Sequence, residues 1–334
     1  MIQPYQPRSW RGAALRLCGS VAILALLFYF LPFERLWAAL RRVPPGLWVV
    51  VLGGYMGTHV VGVIKWRLLV NLAGADLSFA QATRCYFSGL FATLFLPSIV
   101  GGDIVRMGLA LRLARNRAGV LLGSLLDRLL DTTTLAGVAA LGALLLPGAL
   151  DPRSRRIFWA VIAVVALAVA ALLAVFLLTP SRRFSYKMRR RFVRLRQAAR
   201  SMSRRPQYVL LALALGLAVQ TSLVMLTAVI AAGCGLHVPL RVWLFAWPLA
   251  KLSALLPLTQ AGIGLRAVAL GALAAPFGAA PVLTVAVGLV WEAILIVGGL
   301  LAGLISALLG RYAAATRVTP AEIPCAPGRR VITN

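Results

Sequence analysis

Long apolar runs alternate with short basic or proline- and glycine-bearing segments along most of this chain. Leu17 to Leu31 follows Arg8, Arg11 and Arg16, and no small-x-small cleavage site comes after it, so it predicts an uncleaved first span. Residues 33–44 set Phe33, Leu36, Trp37 and Leu40 at helical spacing among Arg35, Arg41 and Arg42, the pattern of a short helix in the headgroup layer. Pro44-Pro45-Gly46 opens a second span, about 47–70, whose end, Lys65-Trp66-Arg67, reads as an interface anchor. After a polar turn, Phe79 to Leu96 stops at Pro97, short of bilayer thickness at ~1.5 Å per residue. With the arm from Arg106 to Ala114 it predicts a hairpin, 79–114, that enters and leaves on one side. Residues 118–147 form a long span carrying Asp127, Arg128 and Asp131, and 157–179 a plain one.

The second half repeats the first. An offset of 160 carries 47–72 onto 207–232, hairpin 82–115 onto 242–275, and long span 122–150 onto 282–310. The sharpest match joins Leu96-Pro97-Ser98-Ile99-Val100-Gly101-Gly102-Asp103-Ile104-Val105-Arg106 to Leu256-Pro257-Leu258-Thr259-Gln260-Ala261-Gly262-Ile263-Gly264-Leu265-Arg266. Proline removes an amide donor and small residues let the backbone turn. In a bilayer, broken backbone survives only against protein or a watery cavity, and matched breaks in two halves mark a binding site at a repeat interface. The expected fold is all-α: a polytopic membrane protein of about six full spans plus two re-entrant, broken-helix hairpins, in one domain over 1–312 with repeat halves at about 45–150 and 205–310.

Composition agrees, with 61% hydrophobic and 13% charged residues, which excludes an ordinary soluble domain. The excess of 35 Lys+Arg over 8 Asp+Glu would point to nucleic acid in a soluble protein. Here the cations lie between apolar runs and no nucleic-acid motif is present, so topology and anionic lipid account for them. Residues 181–205 hold eleven Lys/Arg and no acid, with Phe184, Met188, Phe192, Leu195, Ala199 and Met202 on one stripe. This predicts an amphipathic helix on the anionic cytoplasmic leaflet. Residues 313–334 read as a disordered cytoplasmic tail. With both termini and the linker inside, the outer side keeps only Arg35, Arg41, Arg42, Arg153, Arg155, Arg156 and Arg241. The first hairpin then opens inward and the second outward, which makes the halves an inverted repeat.

Charges inside apolar sequence are functional candidates. Arg106 and Arg266 follow the breaks, near the start of new helices, where free amides and a guanidinium together attract an anion such as phosphate. Asp103 stands three residues before Arg106, as a cap or its partner. Asp127 and Asp131 share a helix face, to be neutralised by Arg106 or Lys251 or to relay a proton; Arg128 points elsewhere on that helix, with a partner near the hairpin left open. Lys251 precedes the second break and is expected to pair with Glu292. Ser98, Gly101, Gly102, Gln260, Gly262 and Gly264 complete the candidate substrate site. His59 and His237 lack acidic neighbours, and Cys18, Cys85, Cys234 and Cys325 are scattered, so all six read as structural and neither metal nor cofactor is expected. No nucleotide loop, hydrolase elbow or acidic pair in an outer loop appears, so no enzyme is expected.

Trp66-Arg67, Tyr86-Phe87-Ser88-Gly89, Leu96-Pro97-Ser98 with Gly101-Gly102-Asp103 and Arg106, and Leu126-Asp127-Arg128 resemble one family. This is the flippase-like integral membrane family typified by the transmembrane region of lysylphosphatidylglycerol synthase, with stand-alone relatives in hopanoid and lipid-linked glycan pathways. The resemblance covers about residues 10–312. It implies lipid translocation in a bacterial cytoplasmic membrane, with headgroups handled by Asp103, Arg106, Asp127 and Arg128 in one half and Gly262, Gly264 and Arg266 in the other. Two departures stand out. Ala267 follows Arg266 where the family often has Glu, and Trp291-Glu292 stands where a basic residue is common. The synthase's soluble aminoacyl-transfer domain has no counterpart in these residues, so transport without lipid synthesis is the expectation.

The leading expectation is a lipid flippase or scramblase passing an anionic headgroup from Arg106 to Arg266. Two alternatives stand beside it: a transporter of a small polar solute, and a non-transporting membrane partner of a lipid-modifying enzyme. A second copy of the chain or a lipid-pathway enzyme are the protein partners this reading leaves open.

Overall fold

The computed structural model describes residues 41–96, 98–146, 204–253 and 264–315, with isolated positions at 37, 38, 156, 159, 163, 167 and 193; side chains of 98–100, 253 and 313–315 are outside that description. The expected first span, the 157–179 span, the amphipathic 181–205 stretch, the tail beyond 315, Gln260 and Gly262 lie outside the described residues.

Every described element is helical. The first half contains α1 (Pro45–Leu72), α2 (Phe79–Thr93), α3 (Ser98–Leu113) and α4 (Arg117–Leu144). The second contains α5 (Pro206–Gly233), α6 (Leu240–Ser253), α7 (Leu265–Ala274), a 3-10 turn at Ala275–Phe277, and α8 (Pro281–Ala315). Helices α1, α5 and α8 are long and apolar enough to cross a membrane. Helix α4 equals α1 in length at 28 residues but carries the charged candidates. The chain is an integral membrane protein.

Local chemistry starts these helices where they start. Pro45 and Pro206 open α1 and α5, where a missing amide costs nothing and φ is already set. Ser78 and Gln81 form a reciprocal capping box at α2, and the Asn116 side chain accepts from the Ala118 amide at α4. The turns after α1 and α5 match bond for bond. Ala75 N donates to Val70 O (2.9 Å) as Leu236 N donates to Ala231 O (2.8 Å), with Gly74 and Gly235 both left-handed at φ 86° and 80°. These glycines are 161 residues apart, as are the starts of α2 and α6, whereas Arg106 and Arg266 are 160 apart. The gap-free offset therefore fails by one: the second half loses a residue between Leu240 and Arg266.

Counterpart helices meet across the molecule. Leu47 lies against Gly233, Leu226 against Gly54, and the Lys65 stem near Gly216, so α1 and α5 run antiparallel. Helix α2 lies on α8, and α4 on α6. Trp66 Nε1 donates to Ser124 Oγ (3.0 Å), tying α1 to α4; Trp291 Nε1 donates to Thr227 Oγ1 (3.0 Å), tying α8 to α5. Arg115 N donates to Ala75 O (3.1 Å), so the α2–α3 unit returns to the end of the molecule from which it left. A Phe245–Phe277 edge contact at 5.9 Å closes the α6–α7 unit in the same way. With 15 and 16 residues, α2 and α3 are about 22–24 Å long, short of a ~30 Å hydrocarbon core.

The glycine pair proves not to be a loop. Helix α2 ends at Thr93, and α3 restarts at Ser98 and runs through Gly101-Gly102. These glycines serve close approach: a Cβ on Gly89 would sit 2.8 Å from Gly102 O, and one on Gly102 would strike Gly89 and Thr93. Gly102→Leu is expected to cost about 1–3 kcal/mol by overpacking, read as a lowered unfolding temperature in detergent. Gly108, with nothing near its absent Cβ, supplies the control: Gly108→Ala should leave stability unchanged or raise it.

Candidate functional site

Six charged side chains from α1, α3 and α4 meet in the first half. Lys65 Nζ stands 3.0 Å from Asp127 Oδ1 and also pairs with Asp131. Arg106 Nη2 stands 3.1 Å from both Asp103 Oδ1 and Asp127 Oδ2. Arg128 pairs with Asp103 and lies 3.8 Å from Asp131 Oδ2. The Arg106 guanidinium is also held over Trp66 at 5.0 Å and Tyr86 at 5.2 Å, where aromatic faces favour a cation. Three cations thus balance three carboxylates, the condition under which such a cluster can be buried at all.

Two expectations change here, for Lys65 and Arg106, and the open question of a partner for Arg128 is answered. Lys65 is no interface anchor: it is 2% exposed, because α1 continues beyond it to Leu72, and it rather than Lys251 neutralises the acidic pair. Arg128, on a different face of α4 from Asp127, reaches its partner on α3. Arg106 does not sit at a helix start but about two turns into α3, so its anion-binding capacity comes from the guanidinium and not from free amides.

The second half is built differently. Gly264, at φ 78°, precedes α7, and Arg266 is the second residue of that helix, 5% exposed. Gly264 N donates to Glu292 Oε1 at 2.6 Å. The chain's own carboxylate therefore occupies the helix-start amide reserved above for a substrate anion. Lys251 does not pair with Glu292; its Nζ donates to Gln220 Oε1 at 3.0 Å, and no described carboxylate stands within ion-pair distance of it.

Both halves face one cavity of about 180 Å³, room for on the order of ten waters. Asp103, Arg106, Arg128 and Asp131 line it from one half, and Lys251 and Arg266 from the other. Gly102 reaches it, whereas Gly101 lies against Leu96; Ser98 contributes described backbone only. Four buried donors, Arg106 Nε, Arg128 Nε, Trp247 Nε1 and Arg266 Nε, find no hydrogen-bond partner among the described residues. One acceptor, Asp127 Oδ1, also lacks a hydrogen bond but is ion-paired with Lys65, so unsatisfied donors outnumber unsatisfied acceptors among the described residues.

Gln220, Trp247, Tyr55 and Tyr86 are lining residues that the sequence reading did not select. His59, read there as structural, also lines the cavity, with Nδ1 3.4 Å from Tyr86 Oη and its ring edge-on to Tyr55. Two of them carried a signal: Trp247 in the dense aromatic run of α6, Trp243 to Trp247, and Tyr86 in the Tyr86-Phe87-Ser88-Gly89 motif.

This constellation falls within a single match: the family model for the lysylphosphatidylglycerol synthase TM region aligns with residues 14–303. The chain belongs to that family. No curated protein and no solved structure matches it. Membership confirms the resemblance carried by the Trp66-Arg67, Asp103–Arg106 and Asp127-Arg128 motifs, and it attaches a membrane lipid-related role to the molecule.

Proposed function

We propose that this chain is a lipid flippase or scramblase, in which an anionic, phosphate-bearing headgroup crosses through the central cavity while its acyl chains stay in the bilayer. One observation carries the reading: the side chains that hold buried donors without acceptors, together with Lys251, line one cavity from both halves. Phosphate oxygens are the acceptors such walls lack, and charge-assisted bonds to guanidinium groups are the strong ones. Antiparallel α1 and α5 support an inverted repeat of about six spans, with the two short hairpins entering from opposite faces of a bacterial cytoplasmic membrane. No bond is made or broken in this mechanism; the chain binds, orients and releases, so it is not an enzyme.

The test is reconstitution into vesicles with fluorescent phosphatidylglycerol and a membrane-impermeant quencher. The wild-type chain is expected to expose inner-leaflet label, with Arg106→Ala and Arg266→Ala slower by about 10- to 100-fold, the worth of a hydrogen bond to a charged group. Wild-type exposure equal to that of protein-free vesicles would overturn the proposal. Uptake of a small polar solute in its place would favour the solute transporter.

A further inference from the structure

A second concavity, of about 700 Å³, lies on the other side of α2 from the central cavity, between α2, α3 and the end of α8. Its chemistry changes in order along its length. At one end the Arg84 side chain lies over Gly310, its Nε 3.2 Å from where a Cβ would stand, beside Arg311. No described carboxylate pairs with either arginine. One turn further in, Ser88 and Ser306 share a 2.6 Å hydrogen bond that joins α2 to α8. Ser306 Oγ also reaches Arg84 O at 3.2 Å, so these hydroxyls are satisfied within the chain and leave the guanidinium groups to another ligand. Beyond them Phe91 and Phe95, with rings 5.1 Å apart, make an apolar end with Val105.

From Arg84 to Phe91 and Phe95 is about 10–16 Å at helical rise, close to the depth of one leaflet of a ~30 Å hydrocarbon core. Paired cations at one end, hydroxyls between and aromatic rings at the other are the profile of an amphiphile standing along the bilayer normal. The arginines also lie at the end of the molecule where α1 finishes and α2 begins, which carries Arg112, Arg115 and Arg117 as well.

We propose that this groove binds one anionic phospholipid from the surrounding leaflet, its phosphate on Arg84 and Arg311 and an acyl chain along Phe91 and Phe95. Charge selects the occupant. Two guanidinium groups without carboxylates bind a phosphodiester bidentately, whereas a zwitterionic lipid brings its own cation to the same place. Each cation near such a surface contributes ~1 kcal/mol toward an anionic lipid. Position adds a role. Leu94 lines the central cavity and Phe91 the groove, and both rest on glycines of α8, Gly299 and Gly303. Helix α2, seated on that glycine seam, is what separates a lipid held here from the cavity. The binding proposal itself does not depend on movement of lipid through the cavity.

The experiment uses the full chain in vesicles with tryptophan placed at position 95. Fluorescence added by Phe95→Trp should be quenched more by brominated phosphatidylglycerol than by brominated phosphatidylcholine at equal mole fraction. Arg84→Gln with Arg311→Gln should erase at least about fivefold of that preference. Arg84→Lys with Arg311→Lys, a pair that keeps the charge, should retain a preference. Equal quenching by the two lipids would mean unselective boundary lipid only and would overturn the proposal. So would a preference indifferent to the double glutamine substitution, or a copurifying protein that shields position 95 from both lipids.

Discussion

Replacing Lys65 with methionine is expected to destabilise the detergent-solubilised chain by about 3–5 kcal/mol and to abolish lipid movement with it. The Lys65 ammonium is the only cation among the described residues that pairs with both Asp127 and Asp131. Its removal leaves three carboxylates against two guanidinium groups, with Asp127 almost fully enclosed. A buried charge stripped of its partner is the costly case, unlike an apolar replacement of both members. Unfolding followed by tryptophan fluorescence measures the loss, since Trp66 neighbours the cluster. Lys65→Met combined with Asp131→Asn restores equal numbers of each sign and should recover more than half of the stability. A melting curve unchanged by Lys65→Met would show that this lysine reaches headgroup water after all.

Lys251→Gln is expected to do the opposite: stability unchanged, movement of phosphatidylglycerol slower by about tenfold or more. Lys251 donates to a neutral amide, so an uncharged donor can keep that bond with Gln220. What disappears is the one described cavity cation without a carboxylate within ion-pair distance, apart from Arg266, which has Glu292 nearby on α8. The loss should spare labelled phosphatidylcholine, and Lys251→Glu should penalise the anionic lipid further. Equal slowing of both lipids in the vesicle assay would reduce Lys251 to a purely structural role.

The long helices were legible because nothing but a bilayer or a buried core accommodates runs such as those of α1, α5 and α8. The charged motif was legible for a related reason, since Asp103, Arg106 and Asp127 in such surroundings must find one another. Lys65 was not, because Lys-Trp-Arg reads identically at a membrane surface and in a helix that continues for two more turns. Nor was the break correctly placed. Two glycines look the same whether they loosen a loop or let α3 approach Gly89, and only the position of α2 distinguishes these. Glu292 was assigned to a lysine because a carboxylate's preference for a backbone amide leaves no mark in side-chain types. Arg128 was half legible: helical phase placed it off the acidic face with a partner near the hairpin left open, but that the partner is Asp103 depends on where α3 lies.

The unequal halves have a mechanical consequence. On the α1–α3–α4 side, any separation must part several opposite charges together where little solvent replaces them. Helix α7 meets α8 through one carboxylate on one amide and otherwise through apolar packing, with Ala267 resting on Gly288 and Leu270 and Ala274 in the same core as Val287 and Val290. In a bilayer, lipid tails replace apolar contacts but not ion pairs, so the α7–α8 seam is the one expected to yield first, a single swinging leaf on a fixed jamb.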